Sequence, residues 1–126
     1  MRSREGAAAS RSAGNAAEEA AAEQLARNGF TILARNFNVP GLGELDIVAE
    51  KAEVVHFVEV RARRTGSRYG SGAESITPAK IGRLRRTAYI YLDRTHLVNK
   101  DVRILAADVG LDSSGNIGEI RWIPMD

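Results

Sequence analysis

The sequence predicts one α+β domain, a single mixed sheet flanked by helices in the order αβββαββ. Two segments carry apolar residues at helical spacing, five have the composition of strands, and the second helical segment divides the strands into three and two. Neither a helix bundle nor a closed barrel has that order. At 126 residues the chain suits one domain with a core of its own.

The first thirteen residues, MRSREGAAASRSA, are basic and rich in small residues but lack the apolar stretch of a secretory signal. They are expected as a disordered tail before a domain over residues 14–126. From Gly14 to Asn28 the Ala-rich segment GNAAEEAAAEQLARN has strong helix propensity, and Gly29 suits the residue after its end. Gly14, Glu18, Ala21, Leu25 and Asn28 fall on one stripe, with Glu19, Glu23 and Arg27 behind. Glu18 is therefore a carboxylate in line with the buried face.

FTILARNF, residues 30–37, reads as a strand, and NVPGLG as the turn that follows. GELDIVAE (43–50) and VVHFVEVRA (54–62) read as two strands joined by a charged turn at Lys51, Ala52 and Glu53. RRTGSRYGSGAES (63–75) has no periodicity and is expected as a mobile loop. Thr77 and Pro78 are suited to the N-cap and first turn of a helix, which Ile81, Leu84, Ala88 and Leu92 carry on to Arg94 or Thr95. DVRILAADVG and GEIRWIPMD are the last strands, joined by the turn DSSGN.

Apolar residues at 44% and charged residues at 27% match a folded globular chain. The absence of cysteine excludes disulfides, zinc–thiolate sites and thiol catalysis, and fits a reducing cytoplasm. No run approaches the ~18 apolar residues of a membrane span. Between Arg61 and Arg86, eight basic residues stand against Glu74 alone, a charge of +7; the whole chain is +2, which leaves −5 elsewhere. Such asymmetry suits a polyanion, because nucleic-acid affinity is built largely on phosphate contacts. Arginines that merely solvate a loop and a helix face are the competing explanation.

The hairpin concentrates carboxylates within its apolar strands. Regular alternation puts Glu44 with Asp46, and Glu59 with Arg61, on shared faces. Two registers keep the acids together: one sets Asp46 opposite Glu59 and Glu44 opposite Arg61, the other sets Glu44 opposite Glu59 with Asp46 diagonal. Facing like charges need compensation, and carboxylate oxygens with positions left for water and phosphate suit Mg²⁺ or Mn²⁺. Surface ion pairs from Arg61 and Arg63 to Glu44 and Glu59 are the alternative, against which Val55 and Phe57, on the face of Glu59, suggest partial burial. His56, His96 and Trp122 are expected in structural roles.

The blocks G-x-x-A-E-x-x-A (14–21), GFTILARNF (29–37), GELDIVA (43–49), FVEVRAR (57–63) and Lys80 through Leu92 together resemble the YraN family of small bacterial proteins, which is similar to the restriction-endonuclease-like nucleases and, among them, the archaeal Holliday-junction resolvases. The resemblance covers roughly residues 14–109. It implies a restriction-endonuclease-like fold and a Mg²⁺-dependent endonuclease acting on structured DNA by attack of a metal-activated water. Asp46 and Glu59 would be metal ligands, and Glu18 the helix acid that helps to position metal or water. Arg61 stands where the family pattern has lysine. Arginine stays charged and serves as an electrostatic clamp, whereas lysine can deprotonate or orient a water.

The catalytic candidates are thus Glu18, Asp46, Glu59 and Arg61, and the nucleic-acid candidates Arg63, Arg64, Arg68, Lys80, Arg83 and Arg86. A catalytically weak or inactive nucleic-acid-binding protein on the same fold is the alternative, with Arg61 its best support. A two-fold homodimer fits the cutting of two strands with one metal site per chain.

Overall fold

The computed structural model describes the backbone of residues 2–64 and 77–126, with side chains from residue 15 onward. Helix α1 (Arg2–Arg27) is followed by strands β1 (Thr31–Val39), β2 (Gly43–Lys51) and β3 (Val54–Arg64), helix α2 (Pro78–Arg94), and strands β4 (Asp101–Leu111) and β5 (Ile117–Pro124). This is the predicted order. The expected loop 63–75 lies outside the described residues apart from Arg63 and Arg64, which end β3. The residues expected as a tail, 1–13, fall from Arg2 onward within the backbone span of α1, and among the described side chains of that helix the first buried one is Ala17.

The strands form one sheet in the order β1-β2-β3-β4-β5. Pairing is antiparallel except between β3 and β4, which run parallel and are connected through α2. A parallel pair needs such a crossover, and the helix between the third and fourth strands supplies it.

Each helix covers one face. Ala21, Ala22 and Leu25 of α1 bury against Ile47, Ala49, Val58 and Ala107. The small alanines let this helix approach the sheet closely. On the other face Leu84, Ala88, Tyr91 and Leu92 of α2 pack on Leu45, Val48, Val55, Phe57 and Ile104. Tyr91 meets the rings of Phe37 and Phe57 edge-on at 5.2 and 5.9 Å. Thr77 caps α2 as expected, its hydroxyl accepting from the Lys80 amide at 3.2 Å, with Pro78 in the first turn.

Local chemistry sets the turns. Ala52 and Glu53 adopt φ of 52° and 67°, the paired left-handed conformation of a two-residue hairpin. In the last turn Asp112 accepts the amides of Ser114 and Asn116, and Gly115 takes φ of 83°. At Gly43 a Cβ would lie 3.0 Å from Thr87 Oγ1, so a side chain there would crowd α2.

Besides the bulges between Ile32 and Ala34 and between Val109 and Leu111, regular alternation fails around Asn36. Ala34 and Phe37, three residues apart, both reach the α2 side, as do Leu45 and Val48. Between them the β1–β2 ladder passes over Asn36 and Asp46, and Asn36 has φ of 55°. The β2–β3 pairing takes the register that would set Asp46 opposite Glu59, but it stops one pair short, at Ile47 and Val58. The acids of the hairpin sit where the sheet opens.

Candidate metal centre

Asp46 occupies this opening. Its Oδ2 accepts the backbone N–H of Val60 at 2.7 Å. The side chain thereby takes the part of a main-chain carbonyl at the end of the β2–β3 ladder. Glu44 comes from the same strand and Glu18 from α1, and one carboxylate oxygen from each of the three lies within 4.8 Å of the others.

The positive charges nearest this cluster stand at its margins. Arg35 reaches Glu18 at 3.9 Å and Glu19 at 2.7 Å. Arg61 Nε lies 3.3 Å from Glu59 Oε1. Asp46 is instead held by a neutral donor, the Val60 amide, and the Asn36 side chain, with its amide nitrogen turned toward the acids, donates to Glu44. Burial pushes the Asp46 carboxyl up to about 7; Glu59, Glu18 and Glu44 add to the rise and the Val60 hydrogen bond opposes it. Burial also raises Glu18, opposed first by Arg35, and raises Glu59, opposed by Arg61.

Glu18 and Asp46 are partly buried and Glu44 is exposed, and close carboxylates with no central counter-charge among the described residues are a donor set that a hard divalent cation can take. The residues present therefore fit Mg²⁺ or Mn²⁺. Glu18, Glu44 and Asp46 are the carboxylates that the geometry brings together.

Glu44, Asp46 and Glu59 line a cleft of about 340 Å³ together with Gly43, Lys80, Arg83, Leu84 and Thr87. One wall is the open end of β2 and β3, the other the first three turns of α2. A mixed wall of cations and acids can bind a phosphate group while keeping the acids for a metal.

The sequence-derived candidates meet this geometry unevenly. Glu18, Asp46 and Glu59 converge, but Glu59 borders the triad and pairs with Arg61, while Glu44 completes it. Arg61 stands behind Glu59, with Nε and Nη2 buried and lacking hydrogen-bond partners among the described residues. Lys80 and Arg83 line the cleft. Arg64 and Arg86 are exposed. Arg63 instead spans to β4, its Nε 3.2 and 3.4 Å from the two oxygens of Asp108, a carboxylate only 2% exposed. Arg68 lies outside the described residues.

Two participants escaped sequence reasoning. Glu44 was visible as an acid two residues from Asp46, but regular alternation tied its position to Glu59 and Arg61. Asn36 gave no signal beyond its place in the RNF stretch. His56 and Trp122 hold the structural roles expected: His56 stacks edge-on against Phe30 at 4.9 Å, and the Trp122 indole donates to Gln24 of α1.

The model of a family described as "Uncharacterised protein family UPF0102" matches residues 17–109, a span containing the whole triad. A UPF0102 protein of Syntrophomonas wolfei is 49% identical over 78 residues, covering 62% of this chain and 66% of that protein. One from Hahella chejuensis is 41% identical over 109 residues, covering 86% of this chain and 84% of its own. One from Moorella thermoacetica is 39% identical over 110 residues, covering 87% and 90%.

Proposed function

The chain belongs to the UPF0102 (YraN) family, whose description names no activity, and we propose that it is a divalent-cation-dependent nuclease acting on structured DNA. The observation that carries this reading is the convergence of Glu18, Glu44 and Asp46, two of which, Glu44 and Asp46, line a cleft that also bears Lys80 and Arg83. Glu18, Glu44 and Asp46 would hold Mg²⁺ or Mn²⁺, which when bound polarises a phosphodiester and lowers the pKa of water.

The chain's own groups supply the rest. Lys80 and Arg83 seat the phosphate and offset its charge beside the acids. A guanidinium is a clamp and not a proton acceptor, so Arg61 is not the base. Glu59 can be: it lines the cleft, and burial raises its pKa toward the range useful for a base. Arg61, at 3.3 Å, orients Glu59 and limits that rise. The lysine of the family pattern is thus replaced by a cation that serves a neighbouring carboxylate.

Cleavage of nicked and four-way DNA with Mg²⁺ or Mn²⁺ tests this function. The parent is expected to cut, Asp46→Asn to be inactive, and Glu59→Gln to lose most of the rate while still binding DNA. The alternative reading, a DNA-binding protein without turnover, is favoured by Arg61 in the lysine position. It predicts salt-dependent DNA affinity with no cleavage by the parent, and cleavage gained, if at all, by Arg61→Lys.

A further inference from the structure

The acids of the triad come from two separate elements, and one side chain joins them. Asn36 lies in β1 between the paired positions Arg35↔Ile47 and Phe37↔Leu45, with φ of 55°. That is the left-handed region, which disfavours most side chains but which asparagine tolerates. Strained backbone within a strand calls for a compensating contact. Its amide, with the nitrogen turned toward the acids, donates to Glu18 Oε2 at 3.1 Å and to Glu44 Oε1 at 3.2 Å. Both donors of the one NH₂ group are used, one on a helix carboxylate and one on a sheet carboxylate.

We propose that Asn36 is a positioning residue, which clamps Glu18 of α1 and Glu44 of β2 in the orientation that lets them join Asp46 around a divalent cation. This rests on the cation reading above. The residue type suits the task in three respects. A neutral amide orients two carboxylates without cancelling the charge that a cation needs, as a lysine or arginine in its place would. Serine or threonine has one donor and cannot bridge two acceptors. Aspartate tolerates the same backbone but offers only acceptors when ionised. A carboxylate held through one oxygen keeps the other for the ion.

The test compares parent, Asn36→Gly and Asn36→Asp by Mn²⁺ affinity, from the electron paramagnetic resonance of free Mn²⁺, alongside thermal unfolding of the metal-free proteins. Glycine accepts the left-handed backbone, so Asn36→Gly removes the bridge and leaves the strand. Both variants are expected to bind Mn²⁺ about 10–100-fold more weakly, the range for groups that orient metal ligands, with the melting temperature of Asn36→Gly near that of the parent. In the metal-free parent the Asn36 side-chain amide protons should exchange slowly and couple across hydrogen bonds to the carboxyl carbons of Glu18 and Glu44. Freely exchanging amide protons, or an Asn36→Gly affinity equal to the parent's, would overturn the positioning role. A parent that takes up no Mn²⁺ overturns the cation reading, and the proposal with it.

Discussion

Asp46 accepts the backbone N–H of Val60 at 2.7 Å at the point where β2 and β3 cease to pair. The bond satisfies an amide that the parted strands would leave open, and it fixes a desolvated carboxylate among Glu18, Glu44 and Glu59. Its pKa rises from 3.8 to about 7, so the folded protein holds this proton more tightly than the unfolded chain. Stability from this group is full below its unfolded value and is lost as pH rises through about 7. Asparagine keeps an acceptor for Val60 and has no charge to desolvate. Without metal, Asp46→Asn should exceed the parent in stability by roughly 2–4 kcal/mol at about pH 8 and lose this advantage near pH 4. Urea unfolding in the presence of a chelator measures both ends.

Lys80 and Arg83 are the cations that face the acids across the cleft. Removing one phosphate-binding cation should reduce the log–log salt slope of DNA binding by about 0.9. Lys80→Ala combined with Arg83→Ala is therefore expected to reduce the slope by roughly 1.8, and Arg86→Ala by no more than about 0.9. Titration of labelled DNA over a salt series reads these slopes. A double variant with unchanged slope would place the phosphate path elsewhere.

Arg63 is tied to buried Asp108, and Arg64 beside it is exposed. Removing one partner of a buried pair strands the other's charge, so Arg63→Ala should destabilise by about 2–3 kcal/mol, below the fully buried range because its side chain is partly exposed. Arg64→Ala should alter stability by less than about 0.5 kcal/mol. Chemical denaturation separates the two, and DNA affinities should be compared only after the stability of Arg63→Ala is known.

Gly43 and Thr87 hold β2 against α2. A methyl group at residue 43 would lie 3.0 Å from Thr87 Oγ1, which donates to the Arg83 carbonyl at 2.8 Å. Gly43→Ala should therefore cost about 1–2 kcal/mol through overpacking. In the background of Thr87→Ala the same change should cost markedly less. A double-mutant cycle with no coupling would mean that the two elements do not depend on this approach.

Much of the fold was legible because its determinants are local. Thr77 and Pro78 announce the start of α2, and Ala21 and Leu25 mark the buried stripe of α1, with Glu18 bordering it. Asp46 and Glu59 stood out as acids in apolar strands. The site's final arrangement was hidden by longer-range effects. The left-handed Asn36 upsets alternation in β1 and β2 together, so Glu44 joins Glu18 rather than staying opposite Arg61. Arg63 reads as a phosphate ligand within a basic run, but its partner Asp108 is 45 residues away and comes alongside only through the parallel pairing of β3 and β4. The part of the basic segment that includes Arg68 lies outside the described residues.

The most direct measurement is an anomalous difference map from a crystal soaked in Mn²⁺. A peak is expected among the carboxylate oxygens of Glu18, Glu44 and Asp46, at the open end of β2 and β3, and it should disappear in Asp46→Asn. A soak at saturating Mn²⁺ that leaves this triad without a peak, while the carboxylates keep their positions, would rule out the cation site.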